Sequence, residues 1–162
     1  MAFFLSTLAA FAPAEQTVPP SQCEAAEETV ISGAVQDDLG LDVAVCLEDE
    51  EQQQRLTIRW SGEGGGDAVS CLASECQGVI EYSRHTSPHL TVLTLTWTKG
   101  GGTQKLYQSL SRPTPDVPAL AQTTHIWEVA GAQAGSAESY PVLTQAAPLA
   151  LIQLDALLGP NP

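Results

Sequence analysis

The chain has 162 residues, and its six Lys and Arg stand against nineteen Asp and Glu, for a formal net charge of −13 and a pI near 4.3. That length supports one domain with a sizeable core. The charge repels a nucleic-acid backbone and an anionic membrane surface, while it attracts and steers a basic protein.

Residues 1–14, MAFFLSTLAAFAPA, read as the remnant of a secretory signal peptide. An apolar run ends in Ala12-Pro13-Ala14, an A-x-A-like site, and polar sequence starts at Glu15. No Lys or Arg precedes Arg55, so the positive n-region is missing, and the alternative is a first apolar strand of the fold. The run is too short to span a bilayer and Pro13 interrupts it. Pro20-Ser21-Gln22 before Cys23 is not the small apolar run that lipid attachment requires, so no membrane association is expected.

Residues 15–28 are acidic and carry Pro19-Pro20, which reads as a tether fixed at Cys23. Residues 29–130 form the expected β domain. Thr29–Val35 is a first strand candidate. Leu41, Val43, Val45 and Leu47 then alternate with Asp42, Ala44 and Cys46. Glu48–Gln54, EDEEQQQ, reads as a solvated loop and lacks the spaced carboxylates and turn glycine of a calcium loop. In Arg55–Trp60, Leu56, Ile58 and Trp60 face inward and Arg55, Thr57 and Arg59 outward. The glycine-rich stretch 62–67 has no following Lys-Ser/Thr and makes no phosphate cradle.

Ala68–Leu72 and Gly78–Tyr82 are short strand candidates. The clearest element follows, a hairpin over His89–Ser111. Leu93, Leu95 and Trp97 alternate with Thr94, Thr96 and Thr98, and Lys99-Gly100-Gly101-Gly102 supplies the turn. A turn at 99–102 sets Leu95 opposite Leu106 on the buried face, with Lys105, Tyr107 and Ser109 on the other. After the proline-punctuated 112–118, Thr123–Val129 places His125, Trp127 and Val129 on one strand face. Residues 131–162 read as an Ala/Gly/Ser linker and a short apolar helix, opened by Pro148 and closed by Gly159-Pro160. Leu149, Ile152, Ala156 and Leu157 share one face of that helix; Leu151, Leu154 and Leu158 share a second. The fold expected is all-β, a single small barrel or sandwich of about seven or eight strands with a short C-terminal helix.

Four cysteines, Cys23, Cys46, Cys71 and Cys76, suit an oxidising compartment, periplasmic or secreted. Three pairings exist; Cys23–Cys46 with Cys71–Cys76 is favoured, because the second pair closes a tight local loop. The same Cys71 and Cys76 with His85 and His89 are zinc-ligand types, but the Cys76–His85 gap is too short for a finger helix and Pro88 interrupts it. No G-x-S-x-G places a serine on a strained elbow, and paired cysteines supply no thiolate nucleophile. No metal and no cofactor is expected. Trp60, Trp97 and Trp127 all fall on apolar strand faces, where core packing is the expected role.

Trp97-Thr98-Lys99-Gly100, with Leu106-Tyr107 on the return strand, resembles the hairpin of the periplasmic or membrane-anchored inhibitors of c-type lysozyme. In that family a lysine on such a hairpin enters the acidic cleft of the enzyme. The resemblance implies that role for Lys99, with Trp97 as its packing support. Tyr82-Ser83-Arg84 stands where the family carries a Ser-Gly-x-x-Tyr loop, so the implied binding set is Lys99, Trp97, Ser83 and Tyr107. The order of Cys46, LTIRW, YSR and the long hairpin is also similar to small exported bacterial proteins of unassigned function. The function expected is a non-enzymatic exported binding domain, in its sharpest form an inhibitor of a basic glycan hydrolase. The alternative class is a small secreted hydrolase.

Overall fold

Period-2 alternation gives each strand one face to bury, and nine such strands solve the problem together. The computed structural model describes residues 23–36, 40–50, 53–62, 65–99, 101–111, 123–130, 137–146 and 151–159. The strands are β1 (Glu28–Val35), β2 (Asp42–Glu50), β3 (Gln53–Gly62), β4 (Gly65–Leu72), β5 (Ile80–Thr86), β6 (Leu90–Lys99), β7 (Gly102–Ser111), β8 (Thr123–Ala130) and β9 (Ala137–Ala146). They hydrogen-bond in the order β4-β3-β2-β1-β9-β8-β7-β6-β5, every pair antiparallel, and curl into a half-barrel. Apart from the β1–β9 pairing, neighbours in the sheet are neighbours in sequence.

The central hairpin has the register its pattern implies, with Leu95 opposite Leu106 and Lys99 opposite Gly102. Gly101 sits at φ 79°, a left-handed conformation that only glycine adopts without a Cβ clash. The concave face collects Val43, Val45, Leu56, Ile58, Leu93, Leu95, Trp97, Leu106 and Trp127 into one core. On β1 and β2 the convex face is buried as well, at Ser32, Ala44 and Cys46. Cys23 is bonded to Cys46 there, and Glu24 and Glu27 reach Arg59, so the segment before β1 lies across that face.

The structure corrects the linker reading of residues 131–162. Ala137–Ala146 is β9, the strand that joins the two halves of the sheet. Pro141 inside it is tolerated for a local reason. Its carbonyl accepts the Gln36 N–H at 2.8 Å, so its missing N–H also points toward β1, where that ladder is only starting at Val35–Val142. Further along, Gly33 lies so close to β9 that a Cβ would come within 2.4 Å of the Leu143 carbonyl oxygen. The loop expected over Glu48–Gln54 is likewise shortened by strand at both ends, since Glu48, Asp49 and Glu50 pair with Arg55, Gln54 and Gln53, and residues 51–52 lie outside the described residues. The C-terminal element is a 3₁₀ turn, Leu151–Leu154, running into a single α-turn, α1 (Asp155–Leu158). It buries Leu151 and Leu154, of the second predicted face, while Ala156 of the first is exposed; Leu149 and the Ile152 side chain lie outside the described residues. Among the described residues no helix is long and apolar enough to cross a membrane.

Candidate functional site

Both disulfides join the favoured partners. Cys23–Cys46 has a Cα–Cα distance of 5.6 Å and Cys71–Cys76 one of 5.0 Å. Bonded sulfurs offer no thiolate, so neither Cys71 and Cys76 with the histidines nor Cys23, Glu27 and Cys46, which lie close together, assembles a thiolate metal site.

The four residues of the implied binding set do not share a face. Trp97 is 1% exposed and belongs to the core. Ser83 pairs with Thr94 and Thr94 with Tyr107, so Ser83 and Tyr107 stand in one row on the convex face. The sheet separates them from Trp97. Lys99 occupies the last backbone pair of its hairpin, and its side chain is outside the described residues. Tyr107 donates to Glu128 at 3.3 Å, and Lys105 lies 3.6 Å from the same carboxylate. The Tyr107 hydroxyl and then Glu128 hold the Lys105 ammonium above its usual pKa.

The three tryptophans form one cluster with centroid distances of 5.1–5.9 Å, Trp97 meeting Trp127 edge to face. Trp97 Nε1 is buried without a partner, and so is Oε1 of Gln104, which is its cross-strand neighbour. Two residues along β8 from Trp127 the interior turns polar. His125 Nδ1 meets Thr144 Oγ1 at 2.5 Å, and Nε2 meets Gln108 Nε2 at 3.0 Å. The Gln108 carbonyl oxygen accepts the Leu151 N–H at 2.9 Å. Since the Gln108 amide nitrogen must donate, His125 Nε2 accepts, and the imidazole proton sits on Nδ1 toward Thr144. Burial pushes the His125 pKa down. This relay ties the C-terminal turn to β7, β8 and β9. A carboxylate that would orient His125 as a catalytic base is not among its partners. Tyr82 donates to Asp155 at 2.5 Å and Arg84 pairs with the same carboxylate, adding a second tie to β5.

Sequence reasoning passed over Gln108 and Thr144. The signal was present, since Gln108 interrupts the apolar face between Leu106 and Leu110 and needs a partner there. Asp155 is similarly the one charge in LALIQLDALLG.

A broad concavity opens where the sheet fails to close. Nine strands paired antiparallel throughout leave edge strands β4 and β5 running the same way. Only Ala73–Val79 connects them, too little for the crossover that a parallel pair requires. The chain instead turns a corner through the 3₁₀ turn Ala73–Glu75, pinned by Cys71–Cys76 and by the Cys76 carbonyl accepting from Val79 and Ile80. A groove of about 1290 Å³ lies beside that corner, between Asp49 and Gln54 of the β2–β3 hairpin, Glu81 and Tyr82 of β5, and Leu157 of α1. No lining residue is a cation. Elsewhere every cation with a described side chain is paired: Arg55 with Glu50 at 2.7 Å, Arg59 with Glu24 and Glu27, Arg84 with Asp155, and Lys105 with Glu128. The chain matches no protein-family model, no curated protein and no solved structure.

Proposed function

We propose that this protein is an exported, non-enzymatic binding domain for a basic protein, acting in the periplasm or outside the cell. One observation carries the reading: the described cations are all committed to ion pairs, while Asp49 and Glu81 line the corner groove with no described cation beside them. The net charge of −13 accelerates encounter with a positively charged partner. Two disulfides support an oxidising compartment and a framework that loses little freedom on binding.

The narrower form of the reading is inhibition of a basic glycan hydrolase. Lys99 closes a hairpin whose neighbouring Trp97 is rooted in the core, which favours a stiff tip able to bring an ammonium to a pair of catalytic carboxylates. Inhibition of c-, g- and i-type lysozymes at low salt tests it, with wild type beside Lys99→Ala. Wild type should inhibit at least one and Lys99→Ala should lose most of that inhibition. If Lys99→Ala inhibits as well as wild type, the tip is not the plug.

A further inference from the structure

We propose that the free edge of β5 and the acidic wall of the corner groove bind an extended lysine- or arginine-bearing segment of a partner protein as an added β-strand. This rests on the reading that the partner is basic and names where and how it is held. The Ile80 N–H is given to the Cys76 carbonyl, away from β6, so the period of the strand directs the N–H and C=O groups of Tyr82, Arg84 and Thr86 outward as well. Those backbone groups form the unpaired template that strand addition uses. Ser83 to Thr86 are exposed, and α1 meets the strand through the side chains of Tyr82 and Arg84 on its concave face. Side chains of an added strand would alternate between the convex side, which Glu81 shares with its neighbour Thr96 while also bordering the groove, and the concave side, where the groove's far wall carries Asp49.

Charge selects the occupant. A second copy of this chain would bring a further −13 to the edge, and antiparallel self-pairing centred on Arg84 would set two guanidinium groups opposite each other. A cationic segment whose Lys or Arg side chains stand off Arg84 meets neither penalty, and it finds Asp49 and Glu81 without cationic partners among the described residues.

The test is calorimetric titration of the full chain with a peptide of alternating Lys and Val, together with backbone amide spectra. Binding should protect the Tyr82, Arg84 and Thr86 amides. Asp49→Lys/Glu81→Lys should weaken it by roughly tenfold or more, whereas Glu138→Lys on distant β9 should not. The same peptide N-methylated at alternate residues keeps its charge but cannot pair as a strand, and should not bind. Equal binding of the N-methylated peptide, protection confined to other strands, or no binding of the alternating peptide would each overturn the proposal. If basic proteins bind the chain while β5 stays unprotected, the edge proposal fails and the broader reading stands. If no basic protein binds at all, the broader reading falls too.

Discussion

Two adjoining layers of the interior are held in different ways. In one, Trp60, Trp97 and Trp127 meet ring to ring, and the contact needs apolar area and little direction. In the next, Thr144, His125, Gln108 and the Leu151 N–H meet through hydrogen bonds, each dependent on which atom carries the proton. The first layer clamps the two halves of the sheet, since Trp60 comes from β3 and its partners from β6 and β8. The second links β7, β8 and β9, which the sheet already pairs, and what it adds to them is the C-terminal turn. Loss of the tryptophan layer should therefore unfold the protein as a whole, and loss of the polar layer should first release Leu151–Leu158.

The largest effect expected is from Trp127→Ala, which removes a buried ring from the clamp and should cost about 3–5 kcal/mol. Urea unfolding followed at separate probes should show one shifted transition. Next is Gln108→Leu, which leaves the buried Leu151 N–H without its acceptor and His125 without its donor, a loss of about 1–3 kcal/mol. Here hydrogen exchange should rise at Leu151–Leu158 more than in β6 and β7. Uniform loss of protection would merge the two layers into one cooperative unit and break the comparison.

An acid titration sharpens it. Burial depresses the folded pKa of His125 below its usual value of about 6.5. In the window between the two the unfolded chain holds the extra proton, so stability rises with pH. The contribution is complete above roughly pH 6.5 and is lost as pH falls toward the folded value. Protonation at Nε2 would also turn the Gln108 amide and strip the acceptor from Leu151. His125→Gln should flatten that slope, and the tryptophan fluorescence should not follow the early loss. The smallest effect expected is from Asp155→Asn, which weakens the partly exposed pair with Arg84 by about 0–1 kcal/mol. Burial first, then Asp155, pushes the Tyr82 hydroxyl pKa up, so the same substitution should lower it, as an ultraviolet titration would read.

The apolar layers were legible in the sequence because alternation encodes them directly. Leu93, Leu95 and Trp97 fixed the face of β6, and a turn at 99–102 set Leu95 against Leu106. Of the three cysteine pairings the sequence allows, the one formed is the one favoured because Cys71–Cys76 closes a tight local loop. What escaped was set by neighbours in space. β9 has the composition of a linker and a proline, and it is a strand because β1 and β8 supply its hydrogen bonds on either side. Glu48–Glu50 look solvated, yet Arg55 holds Glu50 across the hairpin, and that hydrogen bond keeps the Glu50 carboxyl below its usual range. The binding set read from the resemblance is divided between the two faces of the sheet. A pattern along the chain brings Trp97 and Tyr107 into one hairpin, while the pleat sends them to opposite sides of the sheet.

The central claim, that the chain's net negative charge recruits a basic protein, is tested most directly by the salt dependence of binding. The full chain would be titrated with a basic c-type lysozyme at low ionic strength and again near physiological salt, where the Debye length is about 8 Å. Saturable one-to-one binding, with an association rate that falls steeply as salt rises, is the result the account predicts. Absence of binding at low salt, or a rate indifferent to salt, would contradict it.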